Sequence, residues 1–141
     1  MNAKLELVQN WLIKARRDLA AARKLATDPD PYLDVAVYHC QQAAEKTVKG
    51  FLVFHDQPFE KTHDVEVLVS LAQRYDARFS TWIEAAVRLT PYSTEFRYPS
   101  GLLEPTPDEF EQALEAANGL YAFVLPLLPP EVHPWAAPSP R

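Results

Sequence analysis

The sequence is poor in cysteine and glycine, and these two shortages exclude several kinds of site. Cys40 is the only cysteine, so an intrachain disulfide and a zinc site built from several cysteines are both excluded. The three glycines are too few for a glycine-rich loop that would bind phosphate. We therefore expect neither a metal site nor a cofactor. The single thiol fits a reducing compartment, and the cytoplasm is the expected location.

Long apolar runs are absent as well. No stretch approaches the roughly 18 to 20 apolar residues that cross a bilayer. Residues 1–19 carry charges every few positions, where a signal peptide has a continuous apolar segment. These features predict a protein that is neither secreted nor in contact with a membrane.

The chain has no excess of basic charge. Its net charge of −5 argues against a general nucleic-acid-binding domain, because such domains usually carry a basic surface. The acidity is concentrated near the end, since residues 1–97 hold 13 Lys or Arg and 13 Asp or Glu, whereas residues 98–141 hold one and six. The first part is neutral overall and could still present a local basic face to a nucleic acid.

Strand-like alternation is missing, whereas helical periodicity runs through most of the chain. The pattern predicts helices over residues 5–26 and 32–54, a third that follows an N-cap at Thr62 and stops near residue 75, and a fourth from about residue 80. The last helix begins at a capping box of Thr106 and Glu109 and ends at Pro126. We predict an all-α fold, an antiparallel up-and-down bundle of four to five helices.

Proline marks the expected end of the folded domain. Six of the 13 prolines lie in residues 126–141, and such a composition favours extended or disordered chain. We therefore predict a single helical-bundle domain over residues 1–127 and an extended or disordered tail over residues 128–141.

A polar stripe crosses the second predicted helix in the segment YHCQQAAEKTVKGFLVFHD, residues 38–56. With Cys40 at the centre of the apolar side, steps of 100° per residue place on the opposite and flanking sides His39, Gln42, Lys46 and Lys49, with Tyr38, Gln41 and Glu45 beside them. One interpretation is a solvated helix face. The other is a face half-buried in a subunit interface or a binding groove, because glutamine, histidine and an aromatic residue replace the usual Glu and Lys.

The same segment carries a family resemblance. Together with KTHDVEVLV and YSTEFRYPS, which follow it in that order, it resembles the HEPN family, named for a nucleotide-binding domain of higher eukaryotes and prokaryotes. The similarity spans about residues 5–125. It implies a bundle of four or five helices, a homodimer, and pairing with a separately encoded minimal nucleotidyltransferase in a toxin-antitoxin-like module.

The resemblance also leaves catalysis open, because several branches of the family are metal-independent endoribonucleases. Those branches carry an Arg followed by four to six residues and a His, a pair suited to moving a proton and holding the scissile phosphate. None of the four histidines here follows an arginine at that spacing. His55 follows Lys49 at a similar spacing, which we interpret as coincidence because lysine lacks the planar guanidinium.

Two functional hypotheses follow. The first is a nucleotide- or RNA-binding and interaction module, the partner of the nucleotidyltransferase, with ligand-binding residues Tyr38, His39, Gln42, Glu45, Lys46, Lys49, Lys61, Arg97 and Tyr98. The second is a divergent endoribonuclease toxin, with His39 or His63 as general acid and base and Arg97 or Lys46 at the phosphate. A third interpretation is that the stripe only builds the dimer interface.

Overall fold

The computed structural model describes residues 1–99 and 101–134. Within these ranges the chain forms α helices and short 3-10 turns, with no strand. The α helices are α1 (Ala3–Thr27), α2 (Leu33–Phe54), α3 (Val65–Ala72), α4 (Ile83–Leu89) and α5 (Pro107–Val124). The all-α helical bundle predicted from the sequence is confirmed.

Helices α1 and α2 form a long antiparallel hairpin. The apolar stripe of α1 supplies one side of its core, with Val8, Leu12, Ala15, Leu19 and Ala22 all buried. Gly50 of α2 lies close to α1, where an added Cβ would stand 3.2 Å from the Cβ of Trp11. A side chain at position 50 would therefore require its neighbour on α1 to shift by a few tenths of an ångström.

Helix α2 is the central element of the bundle, since it contacts α1, α3, α4 and α5. Fourteen of its 22 residues are buried, compared with six of the 25 residues of α1. A helix in this position has no broad solvated face. Several of its polar side chains consequently lie inside the fold and need partners there.

Helix α5 begins at the capping box that the sequence predicts. The backbone N–H of Glu109 donates to Thr106 Oγ1 (3.1 Å), and the backbone N–H of Thr106 donates to Glu109 Oε1 (2.8 Å). Pro107 occupies the first helical turn, where its missing N–H has no helical partner to lose.

Two predicted helix starts are corrected. The N-cap of α3 is Asp64, whose carboxylate accepts from the backbone N–H of Val67 (3.2 Å), and not Thr62. The Thr62 hydroxyl instead accepts from the backbone N–H of Asp64 (3.0 Å) and shapes the turn before the helix. The fourth predicted helix begins as a 3-10 helix, Ala77–Trp82, and becomes α-helical only at Ile83.

The prediction of an extended or disordered tail is also corrected for residues 128–134, which the structure describes. Residues 130–132 form a 3-10 turn, and Leu128 and Val132 are buried against the bundle. The amide of Gln9 donates to the carbonyl of Glu131 (3.3 Å) and connects the segment to α1. Apolar side chains between the prolines explain the packing. Residues 135–141 lie outside the described residues, and the division of the chain at residue 127 stays a prediction.

Candidate functional site

The polar side chains of α2 gather in two clusters. We call the first the buried cluster, made of Gln41, Gln42, Glu45, Lys49 and His63. We call the second the pocket cluster, made of Asp18, His39 and Lys46. Each cluster contains one carboxylate, one histidine and one lysine, and the two differ in exposure and in their neighbours.

Glu45 is the centre of the buried cluster. Its Oε1 accepts from Gln41 Nε2 (3.1 Å), Gln42 Nε2 (3.3 Å) and His63 Nδ1 (2.8 Å), and its Oε2 accepts from Lys49 Nζ (2.9 Å). The Gln41 amide also donates to the backbone carbonyl of His63 (2.8 Å). These contacts attach the loop before α3 to the middle of α2.

The electrostatics of the buried cluster favour an ionised Glu45. Burial by itself raises the pKa of Glu45, but the hydrogen bonds from Lys49, His63 and Gln41 outweigh burial and hold that pKa below its ordinary value. The Lys49 ammonium lies 5.6 Å from the ring centres of both Trp11 and Phe59, so it has favourable contacts besides the carboxylate.

Asp18 is the centre of the pocket cluster. Its Oδ1 accepts from His39 Nδ1 (2.8 Å) and its Oδ2 accepts from Lys46 Nζ (2.7 Å). The carboxylate comes from α1 and is largely buried, whereas the His39 and Lys46 side chains are part-exposed. The pocket cluster therefore links α1 to α2 at the border between core and solvent.

A surface cavity of about 300 Å³ lies beside the pocket cluster. It is lined by Asp34, Val35, Tyr38, His39, Phe96 and Arg97. The Arg97 guanidinium stands 4.4 Å from the centre of the Tyr38 ring and donates through Nη1 to the backbone carbonyl of Ser93 (2.8 Å). The cavity thus combines a stacked cation, a phenol and an imidazole.

The loop that carries Arg97 has an unusual backbone. Phe96 has a φ of +68°, in the left-handed region that a bulky side chain rarely adopts. This turn buries the Phe96 ring, which stacks on Tyr92, while the next residue, Arg97, stays exposed over Tyr38. Strain of this kind costs about 1–3 kcal/mol and is often found at functional sites. We interpret it as the means by which the loop positions Arg97.

A second cavity, of about 400 Å³, adjoins the first because Phe96 lines both. Tyr98, Gly101 and Leu102 belong to its lining, and the apolar side chains of Tyr98, Leu102 and Leu103 are exposed. Tyr98 also lies near the Arg97 guanidinium, 6.0 Å from it. An exposed apolar segment next to a polar cavity is typical of an interaction surface.

The structure separates the predicted site residues into three groups. Tyr38, His39, Lys46, Arg97 and Tyr98 lie in or beside the first cavity. Gln42, Glu45, Lys49 and His63 belong to the buried cluster. Lys61 is exposed and contributes to neither cluster.

The interpretation of the stripe as a solvated face is corrected. Gln41, Gln42, Glu45 and Lys49 are each 8% exposed or less, because residues 59–63 and α1 cover that side of α2. Single-helix geometry identifies the side opposite Cys40, but it contains no information about which other elements pack there.

Sequence reasoning missed Asp18 and the cavity residues Asp34, Val35 and Phe96. A signal for Asp18 was present, since it falls among the apolar residues Ala15, Leu19 and Ala22 on the buried side of α1. An acidic residue on such a stripe needs a partner. Neither its partner nor the positive φ of Phe96 can be derived from local spacing.

Cys40 does not add a reactive thiol to the candidate site, and the described residues do not add a metal-binding group. Burial raises the pKa of the Cys40 thiol to about 12, so it behaves as a small apolar core residue. Among residues 1–99 and 101–134, no group of three or more His, Cys, Asp or Glu side chains could hold a metal ion.

Comparison with known proteins identifies the family. The chain belongs to the HEPN family, since the family model described as HEPN domain matches residues 8–127. It is also similar to the crystal structure of ST0689, an archaeal HEPN homologue, with 25% sequence identity, a TM-score of 0.66, and coverage of 85% of this chain and 96% of that one. No curated protein matches the chain. The resemblance seen in the sequence is thereby confirmed.

None of the helices in residues 1–99 and 101–134 is long and apolar enough to cross a bilayer.

Proposed function

We propose that this chain is a HEPN-type nucleotide- or RNA-binding and interaction module that forms a homodimer and works with a separately encoded minimal nucleotidyltransferase in a toxin-antitoxin-like pair. The observation that carries the proposal is the cavity shared by Tyr38, His39 and Arg97. Family membership supports a HEPN-like module. The ligand, the dimer and the partner are proposals.

The cavity chemistry suits a nucleotide. A guanidinium is the preferred protein donor to phosphate oxygens, because its planar N–H groups match their geometry. Arg97 is held over Tyr38 and anchored to the carbonyl of Ser93, so little rotamer freedom is lost when it binds. The exposed ring of Tyr98 lies near the same guanidinium and could stack on a base.

The neighbouring loop supports the interaction part of the proposal. Tyr98, Leu102 and Leu103 expose apolar side chains within a few positions of Arg97. A partner that covered this loop would bury apolar area and restrict access to the cavity at the same time. We propose that a second copy of the chain covers it.

Ligand binding is tested by titrating the wild-type protein with ATP, GTP and a short oligoadenylate RNA in a calorimeter. Arg97→Ala should weaken binding about tenfold or more, because a charge-assisted hydrogen bond contributes about 1.5–3 kcal/mol. Arg78→Ala is the matched control, since Arg78 also lies over an aromatic ring, Phe123, but outside the cavity lining. Equal affinities in the two variants would contradict the placement of the ligand.

Partnership is tested by retrieving the tagged protein from its native cells and identifying the retained proteins by mass spectrometry. A small nucleotidyltransferase in stoichiometric amount is the expected result. If the protein retained neither a partner nor a nucleotide, the proposal that it is an interaction module would be wrong.

A second candidate function is a divergent metal-independent endoribonuclease. The observation in its favour is that Arg97 and His39 line one cavity, although the sequence lacks the family spacing of arginine and histidine. His39 would move a proton at the ribose hydroxyl, and Arg97 would stabilise the phosphate. His63 is the other candidate general acid and base. Its ring is hydrogen-bonded to Glu45, and its side chain is 63% exposed.

The two candidates are separated by incubating the protein with RNA in the presence of a metal chelator. The endoribonuclease predicts cleavage that His39→Ala abolishes without unfolding the protein. Binding without cleavage would support the interaction module. Cleavage that persists in His39→Ala and stops in His63→Ala would move the general acid and base to His63.

A further inference from the structure

We propose that Asp18 is a positioning residue that holds His39 in the tautomer whose Nε2 accepts a hydrogen bond from a ligand in the cavity. The ligand in this statement rests on the proposed function. The tautomer does not, because it follows from contacts within the chain. The observations that carry the inference are the burial of Asp18 and the identity of the atoms bonded to its two oxygens.

Asp18 occupies a costly position for an acid. It is 8% exposed and lies on the apolar stripe of α1. A buried carboxylate loses its hydration, and an apolar residue of similar size in such a place is often as stabilising or more so. Both oxygens of Asp18 are occupied by groups at the cavity border, His39 Nδ1 and Lys46 Nζ. The arrangement orients those two side chains.

The bond to Asp18 determines which nitrogen of His39 carries the proton. An ionised carboxylate can only accept hydrogen bonds, so the proton between the two groups belongs to Nδ1. In the neutral ring Nε2 then has a lone pair and can only accept. Nε2 has no hydrogen-bond partner among residues 1–99 and 101–134, and His39 lines the cavity. The free acceptor is therefore available to a ligand.

The orientation of the His39 ring determines which hydrogen-bonding groups a ligand in the cavity must carry. The cavity would contain an acceptor at His39 Nε2 and a cationic donor at Arg97. A ligand that fits both has a hydroxyl or amino donor and an anionic oxygen a short distance apart. A ribose hydroxyl and a phosphate of the same nucleotide meet that requirement, whereas a phosphate alone does not.

The tautomer is measured directly by long-range nitrogen–proton correlation NMR on protein labelled with ¹⁵N. Spectra are recorded at increasing pH until the ring signals no longer change, so that a neutral ring is observed. The His39 signals are identified by their loss in His39→Gln. We expect wild-type His39 to carry its proton on Nδ1. A wild-type ring with the proton on Nε2 would overturn the proposal without any variant.

Asp18→Asn should reverse the tautomer. The asparagine side chain has one acceptor oxygen, and Lys46 can only donate, so that oxygen will face Lys46. The amide NH₂ then faces His39 and donates to Nδ1, which moves the proton of the ring to Nε2. If His39 kept its proton on Nδ1 in a folded Asp18→Asn variant, Asp18 would not be its positioning residue.

Two further variants control for charge and for folding. Asp34→Asn removes an acid from the same cavity lining without touching the His39 bond and should leave the tautomer on Nδ1. In Asp18→Asn combined with Lys46→Met, the amide oxygen is released from lysine and can accept from His39 again. A return of the proton to Nδ1 in the double variant is expected, and a tautomer unchanged from the single variant would contradict the competition between His39 and Lys46.

Nucleotide affinity provides a test that is independent of the NMR measurement. ATP should bind the wild-type protein about tenfold more tightly than 2′,3′-dideoxy-ATP, which has no ribose hydroxyl to donate to Nε2, and this difference should disappear in His39→Ala. Equal affinities of the wild-type protein for the two nucleotides would reject the assigned ligand contact. If wild type bound no nucleotide while the tautomer reversed as expected, the proposed function would fail and the positioning role of Asp18 would stand.

Discussion

The two histidine–carboxylate pairs around α2 have the same bond and different surroundings. In both, the ring Nδ1 lies 2.8 Å from a carboxylate oxygen. Glu45 receives hydrogen bonds from four side chains, and its lysine partner Lys49 is almost fully buried. Asp18 receives two, and its partners His39 and Lys46 are part-exposed.

This difference separates two groups of polar side chains within one helix, one covered by other elements and one beside a cavity. The buried cluster connects two elements of the family pattern, since Gln41 and Glu45 of HCQQAAEK bond the backbone and ring of His63 in KTHD. The pocket cluster lies beside a cavity instead. Half of the family-like stripe therefore connects α2 to the loop before α3, and the other half lies at the candidate site.

The largest expected effect is the removal of Glu45. Glu45→Ala leaves the Lys49 ammonium buried without its carboxylate, and breaking a buried pair in this way costs about 3–5 kcal/mol of unfolding free energy. Asp18→Ala is the matched change in the pocket cluster and should cost about 1 kcal/mol, because Lys46 and His39 can be hydrated. Urea denaturation followed by circular dichroism measures both. Equal losses would show that the two clusters do not differ as described.

Acid should weaken the buried cluster next. The pKa of Glu45 is lower in the folded protein than its ordinary value, so the unfolded chain binds the proton more tightly. The stabilisation by Glu45 is therefore complete above the ordinary glutamate pKa and is lost as the pH falls through the folded pKa.

The acid prediction is checked by urea midpoints between about pH 5 and pH 3. The slope should be smaller in Glu45→Gln, which has no carboxyl to protonate at that position. An identical slope in wild type and Glu45→Gln would place the acid sensitivity at other carboxyl groups.

We expect the smallest loss of stability from removing either histidine side chain. These two variants should also distinguish the two clusters most clearly, because only one of them should affect ligand binding. His39→Ala and His63→Ala should each cost about 1 kcal/mol or less, because each carboxylate keeps its lysine. Their effects on ATP affinity should differ, with about a tenfold loss in His39→Ala and none in His63→Ala. Calorimetric titration measures that affinity. A loss confined to His63→Ala would place the ligand at the buried cluster.

The sequence was most informative where the structural cause is local. The capping box at Thr106 and the helical periodicity of α1 and α2 depend on residues within four positions of one another, and these predictions are confirmed. It was less informative at Thr62, because Asp64 two residues later is also a good N-cap and only the observed hydrogen bonds distinguish them. Family resemblance identified the important helix without stating which of its residues face the cavity.

Composition and periodicity determined the helices and the all-α bundle, since helical hydrogen bonds and apolar stripes are properties of neighbouring residues, and the resemblance of three sequence motifs identified the family. Only the tertiary structure decided which polar residues of α2 are covered and which line a cavity. His39 meets an acid 21 positions away and Glu45 meets a histidine 18 positions away. Such contacts depend on how α1 and the loop before α3 pack against α2, because the free energy of a buried charge is decided by the neighbours that packing brings to it.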